Sequence, residues 1–499
     1  MKKLLVVIMV GFLAVMILEP NLVFADEVDD AISEFWSTFR EGLSERDDHY
    51  GLIICRNAIS RLDHVEDSRT IEALISALEE VRSNYRWNGS AKDQTYIDIG
   101  DQIDRSLVKI IDNNSNQVDG IIPILSDLFE DGTSIRNYSY GRDDFPFSSI
   151  ATCALVTIAK NDPSKLDKIE DILLEAVQLG DGDKWYMTRH AAWALGEIGS
   201  EKAIPYLLDA LHSSHWITVK HAVNALGKIT VSENVDLDSE TTGRITDMLI
   251  NVLRDNLGRR EEIVTAAIDS MSRIAVKYSS EVDKVAPVLV EMLGESEQDV
   301  ARKANYGLRA IGGLAVPYII EVFQESSDKE YCFDMIDVLI NMEDSYAIEY
   351  LAEVLSDRNI DSDIRGEIVS RLLSRASYRP ENSLYPNPWY DPELLLGIIP
   401  DLISLLGDET EFLELSSSRT ICQRAADVLW AIGEPVVLPL QDFIRSGEGN
   451  EIALEWSVKI LEMFNADIPK SSTSEDGISY GPIGGVYGDV LGLGSSTFM

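Results

Sequence analysis

The chain has 499 residues, with 85 acidic against 43 basic side chains and a formal net charge of −42 at pH 7. A surface so one-signed repels phosphate backbones and anionic headgroups, which excludes nucleic acid and acidic membranes as main partners and permits a basic protein. Lysine is scarce beside arginine, 17 against 26, a composition that fits either tolerance of high salt or an ordinary acidic exported protein.

Residues 1–25 carry the pattern of an export signal. Lys2 and Lys3 precede an uncharged apolar run over 4–18, and Val23-Phe24-Ala25 offers small residues for cleavage before Asp26. The run of 15 residues falls short of the ~20 needed to span a bilayer. A cleaved signal peptide and an exported product (periplasmic, extracellular or cell-surface) are therefore expected. An uncleaved N-terminal anchor is the alternative, and only it brings the chain to a membrane. Over 26–47, Val28, Ile32, Phe35, Trp36, Phe39 and Leu43 share one helical face. This predicts a capping helix, assigned to 26–50, that closes the open end of a stacked helical array.

Residues 51–466 read as helical repeats. Degenerate first helices are predicted over 55–62, 103–110 and 150–158. The clearest unit is 188–211. Ala191, Ala192, Ala194, Leu195 and Ile198 form an apolar face whose small residues admit a close neighbour, and Gly199 is a stop signal. Ile204, Leu207, Leu208 and Leu211 then recur at i, i+3, i+4 and i+7. The pattern returns in the next unit, where Leu226 follows Leu195 by 31 residues. Equivalent first helices are predicted over 263–274, 300–311, 331–342, 364–375, 421–432 and 452–463. Pro123, Pro205, Pro287, Pro317, Pro400 and Pro439 each lie early in a second helix, where a missing N–H and a fixed φ cost nothing. Helix pairs this small cannot bury their own faces and must stack, which gives an all-α solenoid of about eleven helical pairs.

Longer spacings locate insertions at 83–100, 132–147, 231–243 and 376–392. Trp87, Tyr138, Tyr140, Trp389 and Tyr390 in these segments are candidates for partner recognition, since loops on repeat proteins often bind. The alternative is that the aromatics brace the solenoid. Residues 467–499 are Gly/Ser-rich and aperiodic, and are expected to be a disordered tail. A role in pairing with a partner is the second reading.

Four of the six histidines are His190, His212, His215 and His221. His190 and His221 occupy equivalent positions on neighbouring first helices, and His212 and His215 lie in the turn between. Imidazoles converging in this way suit zinc or copper, which would make the chain a metal-binding protein or metal-dependent enzyme instead of a scaffold; unconnected helix-face histidines are the alternative. Asn234-Val-Asp236-Leu-Asp238-Ser239 alternates oxygen ligands but lacks the sixth-position glycine and twelfth-position glutamate of a calcium loop. Cys55, Cys153, Cys332 and Cys422 fall in non-adjacent units, too far apart to bridge, and are expected to be buried free thiols. No phosphate loop, nucleophile elbow or thiol–histidine pairing is evident, so no catalytic residue and no cofactor are assigned.

The segment Ala191-Ala192-Trp193-Ala194-Leu195-Gly196-Glu197-Ile198-Gly199 with Ile204-Pro205 resembles the HEAT-repeat superfamily, specifically the short phycobilisome-lyase-like repeats. Weaker matches run from Gly307 to Gly312 and from Val428 to Gly433. The resemblance implies an armadillo-type α–α superhelix and a scaffold for protein–protein interaction, without catalysis of its own. Some members of this superfamily are di-iron deoxyhypusine hydroxylases that use His-Glu dipeptides. This chain has no such dipeptide, so that activity does not carry over.

Overall fold

The computed structural model describes residues 20–44, 48–62, 65, 67–84, 91–113, 120–130, 146–180, 185–377, 392–414 and 417–469. Residues 1–19 of the expected leader (1–25), the five aromatic candidates and residues 470–499 of the expected tail (467–499) lie outside them. The chain divides into two compact units, Met1–Val252 and Leu253–Met499.

The first unit contains α1 (Pro20–Ser44), α2 (Asp48–Leu62), α3 (Ser68–Asn84), α4 (Ala91–Asn113), α5 (Ile121–Glu130), α6 (Pro146–Asn161), α7 (Leu166–Gln178), α8 (Trp185–Ile198), α9 (Ile204–Ala210) and α10 (Trp216–Val231). The division falls within α11 (Ser239–Asn256). The second unit continues with α12 (Glu261–Lys277), α13 (Val282–Leu293), α14 (Gln298–Ile311), α15 (Val316–Glu325), α16 (Lys329–Asn341), α17 (Ser345–Ser356), α18 (Ser362–Ala376) and α19 (Ile399–Ser404). After α19 come β1 (Glu411–Glu414), β2 (Ser417–Thr420), α20 (Ile421–Ile432), α21 (Val437–Ser446) and α22 (Glu451–Met463).

This is an all-α solenoid fold. Even-numbered helices from α2 to α22 occupy the eleven predicted first-helix positions. Odd-numbered helices from α3 to α21 are their second helices, and α22 has none after it among the described residues. Within each unit every first helix packs on the next first helix. The reason is visible in α8, where Ala191, Ala192, Ala194 and Leu195 are all fully buried. Burying each such leucine contributes about 2 kcal/mol, and the alanines let the helices close. Gly199, Gly312 and Gly433 end α8, α14 and α20 with φ of 71°, 72° and 96°, a backbone region that costs residues with a β-carbon.

Polar ladders tie the stacked helices together. In the first unit Lys160 of α6 and Lys228 of α10 both pair with Glu197 of α8, Lys160 at 3.0 Å. Burial would raise the Glu197 carboxyl, but the two lysines overrule it and hold the group below its usual range. In the second unit Lys303 of α14 reaches Asp269 of α12 at 2.7 Å, and Arg371 of α18 reaches Asp337 of α16 at 2.6 Å.

Several expectations are refined. Pro205, Pro317 and Pro400 sit in the first turns of α9, α15 and α19, whereas Pro287 lies inside α13. The carbonyl it leaves without a helix donor belongs to Asp283, and both residues are on the exposed side of the helix. The predicted insertion at 83–100 is helical from Ala91 onward, because no Gly or Pro interrupts 91–99. The segment at 231–243 shrinks to a short loop before α11, with Val235 and Leu237 turned into the core. Its Asp238 accepts a hydrogen bond from the Thr241 N–H at 2.7 Å, which caps the helix and lowers the carboxyl pKa. All four cysteines are free thiols, but Cys153 is only partly buried.

The hairpin β1–β2 has no counterpart among the elements predicted from sequence. Its strands pair antiparallel, with Phe412 opposite Arg419. Phe412 is buried against Gly366 of α18, where any β-carbon would lie 2.1 Å from the ring. Beneath the hairpin, Arg365 is 1% exposed; it pairs with buried Asp408 and donates from Nε to the Leu355 carbonyl at 2.8 Å.

At the N-terminal end, α1 lies on α2 with Phe35 and Phe39 buried. The Cys55 thiol donates to the Phe39 carbonyl at 3.5 Å, and burial pushes its pKa up to about 12.

Candidate functional site

The histidine candidates separate. His190 on α8 and His221 on α10 come near each other on adjacent first helices. Burial, with Arg189 and His221 beside it, pushes the His190 imidazole down to about 3, so it is neutral under ordinary conditions. His212 is exposed in the turn after α9. His215 precedes the first residue of α10, and its backbone N–H donates to Ser213 Oγ at 3.0 Å. Among the described residues no group of three His, Cys, Asp or Glu side chains is placed to hold a metal ion.

A different place in the second unit concentrates chemistry. Helices α14 and α16 enclose an open groove of about 600 Å³. One wall is α14, with Arg302, Tyr306 and Arg309; the other is α16, with Glu330, Asp334 and Asp337. The spacings i, i+4 and i+7 place each set along one face of its helix. Seven residues of helix make a trough about 10 Å long.

The charges in the groove are unevenly satisfied. Asp337 is held by Arg371 at 2.6 Å and by Asn305 Nδ2 at 3.1 Å. Arg302 pairs with Asp299 on its own helix, and Arg309 donates from Nε to the Asn341 carbonyl at 3.2 Å. Asp334 is exposed and has no ion pair or hydrogen bond among the described residues. Partial desolvation of this otherwise exposed side chain raises its carboxyl pKa, Asp337, Glu330 and Asp328 push the same way, and Arg371 opposes them. Tyr306 is 56% exposed, a large aromatic surface left open to water.

The sequence pattern does not single out these residues. Tyr306 is an isolated aromatic in an otherwise ordinary first helix, and Asp334 is one acid among many. Only the register between α14 and α16 brings them to one groove. The aromatic candidates Trp87, Tyr138, Tyr140, Trp389 and Tyr390 lie outside the described residues.

Known proteins bear on the first unit most directly. The HEAT-repeat family profile matches residues 170–239, the span from α7 to the start of α11. No curated protein matches the chain. Among solved structures, a crystal structure of an engineered protein is similar at 18% identity, over 86% of this chain and 98% of that one, with a TM-score of 0.33. The fold class is thus an all-α solenoid of stacked helix pairs, with similarity to HEAT repeats over residues 170–239.

Proposed function

We propose that this protein is an exported HEAT-repeat scaffold that binds another protein and has no catalysis of its own. The observation that carries the reading is the groove of α14 and α16, where an exposed Tyr306 faces a wall containing an unpaired Asp334. Exposed aromatics beside charged groups are the usual material of protein interfaces. The strong negative charge favours a basic partner and disfavours nucleic acid.

Export is inferred from Lys2, Lys3, the apolar run over 4–18 and the small residues before Asp26. On this reading the chain comprises a signal peptide over 1–25, a capping helix over 26–50, repeats over 51–466 and a Gly/Ser-rich tail over 467–499. The repeats are assigned to the short phycobilisome-lyase-like type from the Ala191–Gly199 pattern and its return after 31 residues at Leu226.

Chemical cross-linking of the full chain in its native medium, followed by peptide mass spectrometry, tests this function. A second protein linked at fixed stoichiometry is the expected result. Recovery of the chain linked only to itself, or to many proteins without preference, would refute it.

A further inference from the structure

The α14–α16 groove has more negative charge than its own cations neutralise. Four carboxylates line it, from Glu295, Glu330, Asp334 and Asp337, against the guanidiniums of Arg302 and Arg309. Neither arginine is available to Asp334, since Arg302 is drawn to Asp299 and Arg309 to the Asn341 carbonyl. Arg371, a cation outside the groove lining that acts on Asp334, is shared between Asp337 and Glu367, each at 2.6 Å. Asp334 therefore sits beside Glu330 and Asp337 with no ion pair of its own among the described residues; desolvation first, and then these neighbouring carboxylates, raise its carboxyl pKa.

The opposite wall supplies the second half of a cation seat. Tyr306 carries no stacked ring or cation among the described residues and is 56% exposed. An aromatic face attracts ammonium and guanidinium groups, more strongly as water is excluded. The trough is about 10 Å long, which accommodates roughly three residues of extended chain at ~3.3 Å each.

We propose that this groove seats an extended segment of the partner protein, with one arginine or lysine side chain held between the Tyr306 ring and the Asp334 carboxylate. The proposal rests on the scaffold reading and gives that scaffold's guest a chemistry. Arginine suits the seat better than lysine, because its plane stacks on the ring while its edge pairs with a carboxylate.

Fluorescence anisotropy on the full-length protein tests the seat, with an end-blocked, labelled Gly-Arg-Gly-Arg-Gly-Arg peptide as probe in 0.15 M salt. A chain this acidic attracts any polycation, so the comparison is between variants. Asp334→Asn and Tyr306→Ala should each weaken binding about fivefold, the equivalent of ~1 kcal/mol. Glu353→Gln, which removes one exposed charge on α17, should change it less than twofold. The same peptide with glutamine for arginine should bind at least tenfold more weakly. The proposal is overturned if the arginine peptide does not bind, if Glu353→Gln weakens it as much as Asp334→Asn, or if Tyr306→Ala has no effect. In each of those cases a partner cross-linked elsewhere on the chain would leave the scaffold reading standing, so the two failures are distinguishable.

Discussion

Gly196 of α8 meets Ala225 of α10 so closely that a β-carbon on Gly196 would lie 2.7 Å from the Ala225 Cα and 2.9 Å from its Cβ. The obstacle is backbone, which cannot rotate aside as a side-chain tip can. Small residues at this crossing thus set how tightly two neighbouring repeats stack. Gly196→Ala should destabilise the protein by about 1–3 kcal/mol through overpacking, read as a lower denaturant midpoint. Gly120→Ala, where nothing lies within 4 Å, should leave that midpoint almost unchanged. Equal effects at the two sites would mean that the α8–α10 crossing adapts freely.

The Arg365–Asp408 pair is buried on both sides, with side chains 1% and 4% exposed. Asp408→Asn leaves a guanidinium buried without its counter-charge and should cost about 3–5 kcal/mol. Replacing both partners by apolar residues (Arg365→Met with Asp408→Leu) should recover much of that loss. Burial works to raise the Asp408 carboxyl, but Thr410 and Arg365 hold it below the usual range. Its stabilisation is therefore present above about pH 4 and lost as pH falls through the lowered folded value. Urea melts of the single and double variants check this; a double variant no better than Asp408→Asn would be the contrary result.

His190 gives the first unit a different pH signature. The unfolded chain takes up a proton near pH 6.5 that the folded chain refuses until about pH 3. The folded pKa is depressed, so the unfolded state binds the extra proton between those values, and stability falls as pH drops through that window. The slope is at most ~1.4 kcal/mol per pH unit. His190→Gln should flatten the loss between pH 7 and pH 5 relative to the wild type. Parallel curves for the two proteins would show that His190 stays solvated.

Most of the architecture is legible from local pattern. Ala191, Leu195 and Leu226 mark first helices because a stacked helix needs a small, apolar, helically spaced face, and that need is written within a dozen residues. Pro287 misleads by one turn, since proline is tolerated deeper in a helix when the carbonyl it deprives faces water. The hairpin escapes local pattern because Phe412 is fixed by Gly366, 46 residues earlier, and not by its neighbours. The groove is illegible for the same reason. Tyr306 and Asp334 belong to different repeats, and their meeting depends on the stacking register. The aromatic insertions stand out through composition alone.

N-terminal sequencing of the exported protein checks the address. The chain should begin at Asp26, after removal of the leader ending Val23-Phe24-Ala25. The helix α1 begins at Pro20, so cleavage there would trim its first turns and keep Val28, Phe35 and Phe39 in the core. An exported chain that starts at Met1 would point to an anchor.

Photo-cross-linking from position 306 bears most directly on partner binding. The full chain is made with a benzoylphenylalanine in place of Tyr306, and separately in place of exposed Glu353, then irradiated in its native medium. The expected result is one adduct of defined mass from position 306, mapped to a lysine- or arginine-containing segment of a second protein, with little from 353. Adducts of the same mass and yield from both positions, or none from 306 while the partner is linked elsewhere, would contradict the groove as the binding surface.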